Sequence, residues 1–293
     1  MRIVFIGSVY FSLKMLEQLI EMNADIVGVC TRKNLSINSD HSDLSSYCEL
    51  NKIPWIYSDD VNSPNTLSWI RDLRPDIILC FGWSQLLKEN LLKIPEFGVI
   101  GFHPSQLPIN RGKHPIIWAL VLGLEETGST FFKMDLGIDN GEIISQKNIR
   151  ISTDDNASTL YEKIIRVAQV QLIDLLANIK QGKLILRKQH NSPSNYWRKR
   201  TIADGLIDWR MAAISIHNLV RGLSSPYPGA HFLYKGLAIK VWKTEISPVS
   251  ATNIEPGKIL EVTDRCTIVK CGIGAICLID TDPHFTPTSG EYL

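Results

Sequence analysis

The chain has 293 residues, of which 44% are hydrophobic and 21% charged, and its formal net charge is +1. This composition is typical of a globular protein with a sizeable core, and the near balance of charges excludes a strong overall attraction to nucleic acid or membranes. The first apolar run, residues 3–6, is too short for a signal peptide or a membrane span, so we expect a cytoplasmic protein with no membrane insertion.

Short β-branched runs alternate with amphipathic segments along the first half of the chain. The pattern predicts helices near residues 12–21, 44–51, 64–73, 115–122 and 157–179, and strands at residues 3–6, 25–30, 55–57, 76–81, 98–102 and 128–134. This alternation is typical of an α/β, Rossmann-like parallel sheet that is covered by helices. Ligands of such sheets bind beyond the carboxyl ends of the strands, and His103 directly follows one of them.

The composition changes after Arg187, where a Ser-Pro stretch precedes the basic and aromatic residues 196–200. We therefore predict a first domain over residues 1–187, a linker over 188–210 and a smaller second domain over 211–293. The second domain is predicted to contain a helix near residues 213–222 and strands at 230–234, 239–242, 257–262, 267–271 and 275–279. Short strands separated by turn residues are typical of a small β-barrel, here OB-like.

Several common cofactor signals are absent from the sequence. The six cysteines are scattered, and Cys266 and Cys271, the closest pair, have no second pair to complete a zinc site. We therefore expect reduced, largely buried thiols and no metal site. The turn after the first strand has a single glycine, Gly7, and the chain has no Walker loop, which disfavours a nicotinamide cofactor and ATP-driven chemistry.

His103 and Asp139 are candidates for a proton-transfer pair. His103 lies between an apolar strand and a turn-rich segment with three prolines and Gly112, which can hold a side chain rigidly at a cleft. Asp139 lies in a glycine-rich loop after a predicted strand. A structural role for the histidine and a turn-capping role for the aspartate remain alternatives at this point.

The segment from His103 to Gly141 resembles the central motif of the formyltransferases that use N10-formyltetrahydrofolate. The matching positions are His103-Pro104-Ser105, Leu107-Pro108, Arg111-Gly112, Pro115-Ile116, Trp118-Ala119-Leu120, Thr127-Gly128, Met134-Asp135, Gly137, Asp139 and Gly141. Both ends of the chain extend the likeness, at Phe5, Gly7 and Phe11-Ser12, and at Arg200-Thr201, Asp204-Gly205, Ile207-Asp208-Trp209 and Pro228-Gly229-Ala230. The resemblance implies a formyltransferase domain, a smaller C-terminal domain and a homodimer.

The resemblance also implies a cosubstrate and roles for individual residues. The formyl donor would be N10-formyltetrahydrofolate, with His103 and Asp139 assisting the attack of an amine on the formyl carbon. The residues implied in folate binding are Phe81, Trp83, Leu86, Leu107 and Asp139. We also expect Ser8, Tyr10, Arg111, Lys113 and His114 to bind the acceptor. Tyr196, Trp197 and Arg198 belong to the same predicted set, because aromatic rings suit stacking on a nucleobase and arginines suit a diphosphate; a solvated linker with a packed tryptophan is the alternative.

One position departs from the family pattern. The family usually carries an asparagine two residues before the histidine, where this chain has Gly101. Loss of a donor to the oxyanion typically lowers the rate by about 10²–10³. A bound water, a backbone N–H, His114 or Asn110 would then have to supply the hydrogen bond.

Residues 31–44 bear on which amine accepts the formyl group. Methionyl-tRNA formyltransferases carry a basic insertion there that grips the acceptor stem, whereas this segment has Arg32 and Lys33 and is otherwise mostly polar or acidic. Its Asn38-Ser39-Asp40-x-x-Asp43-Leu44 pattern is similar to that of sugar N-formyltransferases. We therefore expect a UDP-, dTDP- or GDP-linked deoxy amino sugar of surface glycans such as lipopolysaccharide as the acceptor, and no nucleic acid.

Three alternatives remain open from the sequence. The first is a methionyl-tRNA formyltransferase. The second is a hydrolase that releases formate from the same donor, although such proteins carry an additional N-terminal regulatory domain and this chain begins at the first predicted strand. The third is a non-catalytic folate- or nucleotide-binding protein, which the glycine at position 101 would permit.

Overall fold

The structure is a computed structural model that describes residues 1–33, 39–190, 194–249 and 252–293. The chain forms two compact units and passes between them several times. The first unit comprises Met1–Pro115, Thr127–Ile149 and Glu162–Trp197, and the second comprises Ile116–Glu126, Arg150–Tyr161 and Arg198–Leu293. The predicted linear domain boundaries stay a prediction. Asn38 of the sugar-type pattern and positions 191–193 of the predicted linker lie outside the described residues.

The helices and strands are numbered in chain order. The helices are α1 Tyr10–Glu21, α2 Ser45–Leu50, α3 Pro64–Asp72, α4 Glu89–Leu92, α5 Pro115–Val121, α6 Ala157–Lys180 and α7 Ala213–Leu223, with a 3₁₀ helix at Ile202–Gly205. The strands are β1 Arg2–Ile6, β2 Asp25–Thr31, β3 Trp55–Tyr57, β4 Ile77–Cys80, β5 Val99–His103, β6 Arg111–Gly112, β7 Glu126–Lys133, β8 Ile143–Arg150, β9 Tyr196–Trp197, β10 Ala230–Tyr234, β11 Leu237–Ser247, β12 Ile259–Val262, β13 Thr267–Lys270 and β14 Ala275–Asp282.

The first unit is built on a seven-stranded sheet in the order β3-β2-β1-β4-β5-β7-β8. Strands β3 to β5 of this order are parallel, and β7 runs antiparallel to β5. Because parallel strands are buried on both faces, their sequences are continuously apolar, as in β4. Phe81 lies 5.6 Å from Phe5 and 5.4 Å from Phe131 between ring centroids, which fixes an aromatic core under the carboxyl ends of β1 and β4. The predicted α/β fold is confirmed.

The second unit contains a five-stranded antiparallel sheet in the order β10-β11-β14-β13-β12. Helix α7 buries its apolar face in the same core, where Ile216 is fully buried. The rings of Trp209 and Phe232 meet edge to face at 5.3 Å in this core. The predicted smaller C-terminal β domain is therefore confirmed, and its described strands form one antiparallel sheet. Among the described strands, β10 and β12 form the two edges of the sheet.

The sequence does not predict strand β8 in the first unit. Only Ile143 and Ile149 are buried in this strand, and residues 145–148 between them are polar. As the edge strand it lacks the period-two alternation that a half-buried strand shows. Its formation therefore depends on its pairing with β7 rather than on its own pattern.

The structure describes all six cysteines, and each is a free thiol. Burial raises the pKa of the Cys48 and Cys80 thiols to about 12, so very little of either is thiolate at neutral pH. We expect iodoacetamide at about pH 8 to modify only the two partly exposed thiols in the native protein, Cys266 first and Cys277 more slowly, because burial raises the pKa of Cys277 to about 11. Peptide mass spectrometry would test this, and labelling of Cys48 before unfolding would contradict it.

Candidate active site

His103 is the last residue of β5 and lies at the carboxyl edge of the first sheet, with 5% of its surface exposed. Its Nε2 lies 2.7 Å from the carbonyl oxygen of Asn110. Because a carbonyl oxygen can only accept a hydrogen bond, Nε2 carries the proton in the neutral ring. Nδ1 is then the nitrogen that can gain or lose a proton, and it lies 3.5 Å from Oδ2 of Asp139.

Asp139 lies in the loop between β7 and β8. Its backbone has a φ of +49°, in the left-handed region that non-glycine residues adopt only when their surroundings hold them there. Oδ2 accepts a hydrogen bond of 3.0 Å from the backbone N–H of Gly112. This bond aims the carboxylate at the imidazole of His103, and at 3.5 Å the two groups attract each other when the ring carries a proton on both nitrogens.

The segment that follows His103 is held in an unusual backbone conformation. Asn110 and His114 have φ values of +63° and +55°. Between them, β6 pairs in parallel with β9, and a Cβ on Gly112 would lie 2.3 Å from the carbonyl oxygen of Trp197. Glycine is therefore required there, and the close pairing holds the loop that supplies the N–H to Asp139.

Arg111, predicted to contact the acceptor, is only 2% exposed. Its Nε and Nη2 donate to Oε1 of Gln189 at 3.2 and 2.7 Å, and its Nη1 donates to the hydroxyl of Tyr196 at 3.1 Å. The guanidinium of Arg111 therefore makes its hydrogen bonds within the protein, and one of them engages Tyr196, another residue of the predicted acceptor set. The sequence analysis missed Gln189, which no motif identifies.

The predicted folate residues differ in how much side chain they expose. Phe81 is fully buried in the aromatic core, and Leu107 packs against Phe132 and Ile143, so only the backbone of these two residues can face a ligand. Trp83 carries the guanidinium of Arg32 over its ring at 4.0 Å. Leu86 is 54% exposed, so its side chain is available to a ligand.

Ser8 and Tyr10 of the predicted acceptor set follow β1 and pair with the segment after β2. The N–H of Tyr10 donates to the carbonyl oxygen of Asp40 at 2.8 Å, and the N–H of Ser42 donates to that of Ser8 at 2.9 Å. Ser8 is buried, whereas Tyr10 is exposed. The structure therefore places both at the carboxyl edge of the sheet and leaves the tyrosine side chain accessible.

Lys113, His114 and Trp197 lie in the β6–β9 region of the first unit, and Nζ of Lys113 donates to the carbonyl oxygen of Ser84 at 3.0 Å. Arg198 belongs to the second unit. There its guanidinium forms a two-pronged ion pair with Asp204, which holds the pKa of that carboxyl well below its usual range. The positive charge of Arg198 is therefore already neutralised within that unit.

Gly101 lies on β5 with its α-carbon facing two large side chains. A Cβ at this position would lie 2.8 Å from Cγ of Met134 and 3.0 Å from Cζ of Phe132. These two side chains therefore fill the space that a residue larger than glycine would need. Of the predicted substitute donors, Asn110 accepts a 3.0 Å hydrogen bond at Oδ1 from Nδ2 of Asn195, which orients its amide without engaging the NH₂ group that could donate.

No group of three or more histidine, cysteine, aspartate or glutamate side chains suited to a metal ion occurs in the part of the chain that the structure describes. Within the same residues, none of the helices combines the length and the apolar character that crossing a bilayer requires.

Residues 1–176 match the formyl transferase family, and residues 199–284 match the formyl transferase C-terminal domain. The methionyl-tRNA formyltransferase of Caldanaerobacter subterraneus subsp. tengcongensis is 34% identical over 300 residues, which cover 100% of this chain and 96% of that protein. The chain belongs to the formyltransferase family. The predicted family is thus confirmed, and this formyltransferase is an enzyme that transfers a formyl group.

Solved structures share the fold of this formyltransferase. The sugar 3N-formyl transferase WlaRD, solved with dTDP and 5-N-formyl-THF, has a TM-score of 0.71 at 20% identity, covering 97% of this chain and 99% of that chain. The N-formyltransferase from Helicobacter canadensis, solved with folinic acid and dTDP-3-aminofucose, has a TM-score of 0.72 at 20% identity, covering 94% and 98%. At this identity the likeness supports the fold.

Proposed function

We propose that this formyltransferase moves the formyl group of N10-formyltetrahydrofolate to the amine of a nucleotide-linked deoxy amino sugar used in surface-glycan synthesis. The observation that supports this acceptor is the low number of available positive charges in residues 31–44. Cytoplasmic location and a homodimer belong to the same proposal and stay predictions.

The two basic residues of that segment are not equivalent. Arg32 is only 8% exposed, lies over the ring of Trp83 and donates from Nη2 to the carbonyl oxygen of Asp59 at 3.2 Å. Lys33 is exposed, and the remainder of the segment contains no lysine or arginine. Binding a tRNA stem requires several cations that neutralise phosphates, and this segment offers a single exposed lysine for that purpose.

N10-formyltetrahydrofolate is the formyl donor. The loop that carries Asp139 leaves two large apolar side chains exposed, Leu136 and Ile138, and the loop after β4 leaves Leu86 exposed. Accessible apolar groups beside a few oriented polar ones fit the flat ring system of a folate.

The chemistry follows from the His103 and Asp139 geometry. The amine attacks the formyl carbon, a new C–N bond forms, and the carbonyl oxygen becomes an oxyanion that a protonated His103 can stabilise. Collapse breaks the bond between the formyl carbon and N10. The amine loses one proton to Asp139, directly or through water, N10 takes one from Nδ1 of protonated His103, and the proton on Asp139 passes back to Nδ1, so tetrahydrofolate and a formamide are released. Because Nε2 of His103 is held by the carbonyl of Asn110, Nδ1 is the nitrogen that exchanges a proton with the reacting atoms.

We expect the protein to release tetrahydrofolate only when the donor is supplied together with an amino-sugar nucleotide. The assay would offer UDP-, dTDP- and GDP-linked amino sugars and methionyl-tRNA separately, and mass spectrometry would identify the formylated product. Asp139→Ala would serve as the background control. Formyl-methionyl-tRNA as the sole product would contradict the sugar acceptor, and formate release without any acceptor would indicate a hydrolase.

Methionyl-tRNA is the second candidate acceptor, because the tRNA enzyme from Caldanaerobacter is 34% identical over nearly its whole length. The salt dependence of turnover and the effect of a charge reversal at Lys33 distinguish a tRNA acceptor from a sugar-nucleotide acceptor. If tRNA is the acceptor, turnover should fall steeply with rising salt and Lys33→Glu should raise the KM for tRNA. With a sugar nucleotide, which carries only two phosphates, Lys33→Glu should leave the KM within about twofold of wild type because few counterions are displaced.

A further inference from the structure

Gln189 connects the two loops that hold the proposed catalytic pair. Its Nε2 donates to the carbonyl oxygens of Asp139 and Gly141 at 2.9 and 2.7 Å, and its Oε1 accepts from Nε and Nη2 of Arg111. We infer that Gln189 is a positioning residue, which holds Asp139 at its working distance from His103. The inference rests on the catalytic role proposed for Asp139 and does not depend on which amine is the acceptor.

Only one orientation of the Gln189 amide satisfies all four of these hydrogen bonds. An arginine side chain can only donate, so it requires the amide oxygen, whereas the two backbone carbonyls can only accept and require the NH₂ group. Asparagine is too short by one methylene to make the same span, and glutamate lacks the donors. Glutamine is therefore the side chain that fits this site.

The contacts close a ring around Asp139. The carbonyl of Asp139 is held by Gln189, and Gln189 is held by Arg111. Gly112, which directly follows Arg111 in the chain, donates its N–H to the carboxylate of Asp139. Gln189 thus holds the backbone of Asp139 and Gly112 holds its carboxylate, and Arg111 connects the two contacts.

The backbone of Asp139 needs such support because of its φ of +49°. A non-glycine residue in the left-handed region is strained and relaxes when the contacts that hold it are removed. Relaxation at Asp139 would turn the carboxylate away from the N–H of Gly112 and from Nδ1 of His103. Displacement of a reacting group by about 1 Å can lower a rate about 100-fold.

Two variants separate positioning from general stability. Gln189→Ala removes the contacts at both ends and leaves two donors of the buried Arg111 guanidinium, Nε and Nη2, without the oxygen that accepts from both, so it is expected to lower stability as well as activity. Gln189→Glu keeps an acceptor for Arg111 but turns an oxygen toward the carbonyls of Asp139 and Gly141. Gln181→Ala, at an exposed position after α6, is the matched control.

The test measures kcat and the donor KM with whichever acceptor the wild type uses, the melting temperature, and hydrogen exchange at the Gly112 amide. For Gln189→Glu we expect kcat to fall about 10- to 100-fold, the donor KM to stay within about threefold, and the Gly112 amide to exchange faster. Gln181→Ala should match wild type in all of them. Wild-type kcat or unchanged exchange at Gly112 in Gln189→Glu would overturn the inference.

Failure of the proposed function gives a different result. Asp139→Ala with wild-type kcat would remove the catalytic role of Asp139, and absence of amino-sugar turnover would remove the acceptor. The exchange rate of Gly112 reports the position of the carboxylate without any substrate, so unchanged protection in Gln189→Glu overturns the positioning role in either case.

Discussion

Replacing His103 with alanine is expected to lower kcat by about 10²–10⁴-fold, the range typical of losing a positioned acid or base. The same loss is expected for Asp139→Ala. In His103→Ala the binding of the donor should change little, because the lost interaction acts on charge that develops during the reaction. Asp139 is also implied in folate binding, so Asp139→Ala is expected to weaken donor binding in addition to lowering kcat. Steady-state kinetics with the identified acceptor, together with binding of 5-formyltetrahydrofolate as a stable analogue, would measure the two effects separately.

Matched controls guard against a trivial loss of folding. His284→Ala and Asp154→Ala change the same residue types at exposed positions and should retain wild-type kcat. The double variant His103→Ala with Asp139→Ala should be no slower than the slower single variant, because groups that act as a unit are not additive. Wild-type-like kcat in either single variant, or fully additive losses in the double variant, would refute the pairing across 3.5 Å.

The alternation of strands and helices could be predicted because each parallel strand of the first unit is a self-contained apolar run. The position of His103 at the carboxyl edge follows from that pattern alone. The edge strand β8 could not be predicted, because its polar residues form a strand only where β7 offers a partner. Local pattern therefore determines the centre of this sheet, and tertiary context determines its edge.

In the candidate site, too, local sequence predicts some features and tertiary contacts determine others. The sequence analysis selected Arg111 and Arg198 as acceptor-binding residues, but whether their charges are available depends on the hydrogen bonds and ion pairs that each makes in the fold. Gln189 lies 78 residues from Arg111, and it takes up the guanidinium that the sequence analysis assigned to the acceptor. Phe81 was assigned to the folate from its loop, and the structure places its ring in the core. Residue type and motif predict the chemistry of a site, whereas burial decides which groups can reach a ligand.

Gly101→Asn, which restores the usual family residue two positions before His103, is expected to impair this enzyme. The new Cβ would lie 2.8 Å from Cγ of Met134, closer than such atoms approach in proteins, and 3.0 Å from Cζ of Phe132, which is tighter than most such contacts. Forcing extra atoms into a packed core typically costs about 1–3 kcal/mol and shifts the backbone. Because His103 is on the same strand, that shift should also lower kcat. Chemical denaturation and steady-state kinetics would measure the two losses.

Variants at Met134 distinguish two consequences of having glycine at position 101. Either the neighbouring side chains fill the space that an asparagine would occupy, or the enzyme lacks a hydrogen-bond donor that nothing replaces. If overpacking causes the loss, Gly101→Asn combined with Met134→Ala should recover most of the stability, and Gly101→Ala should be less destabilised than Gly101→Asn because it adds only one carbon. If the enzyme instead lacks a hydrogen-bond donor that nothing replaces, Gly101→Asn should raise kcat by up to about 10²–10³-fold. A tenfold gain in Gly101→Asn alone would therefore show that the packing of Phe132 and Met134 against Gly101 is not what maintains the site.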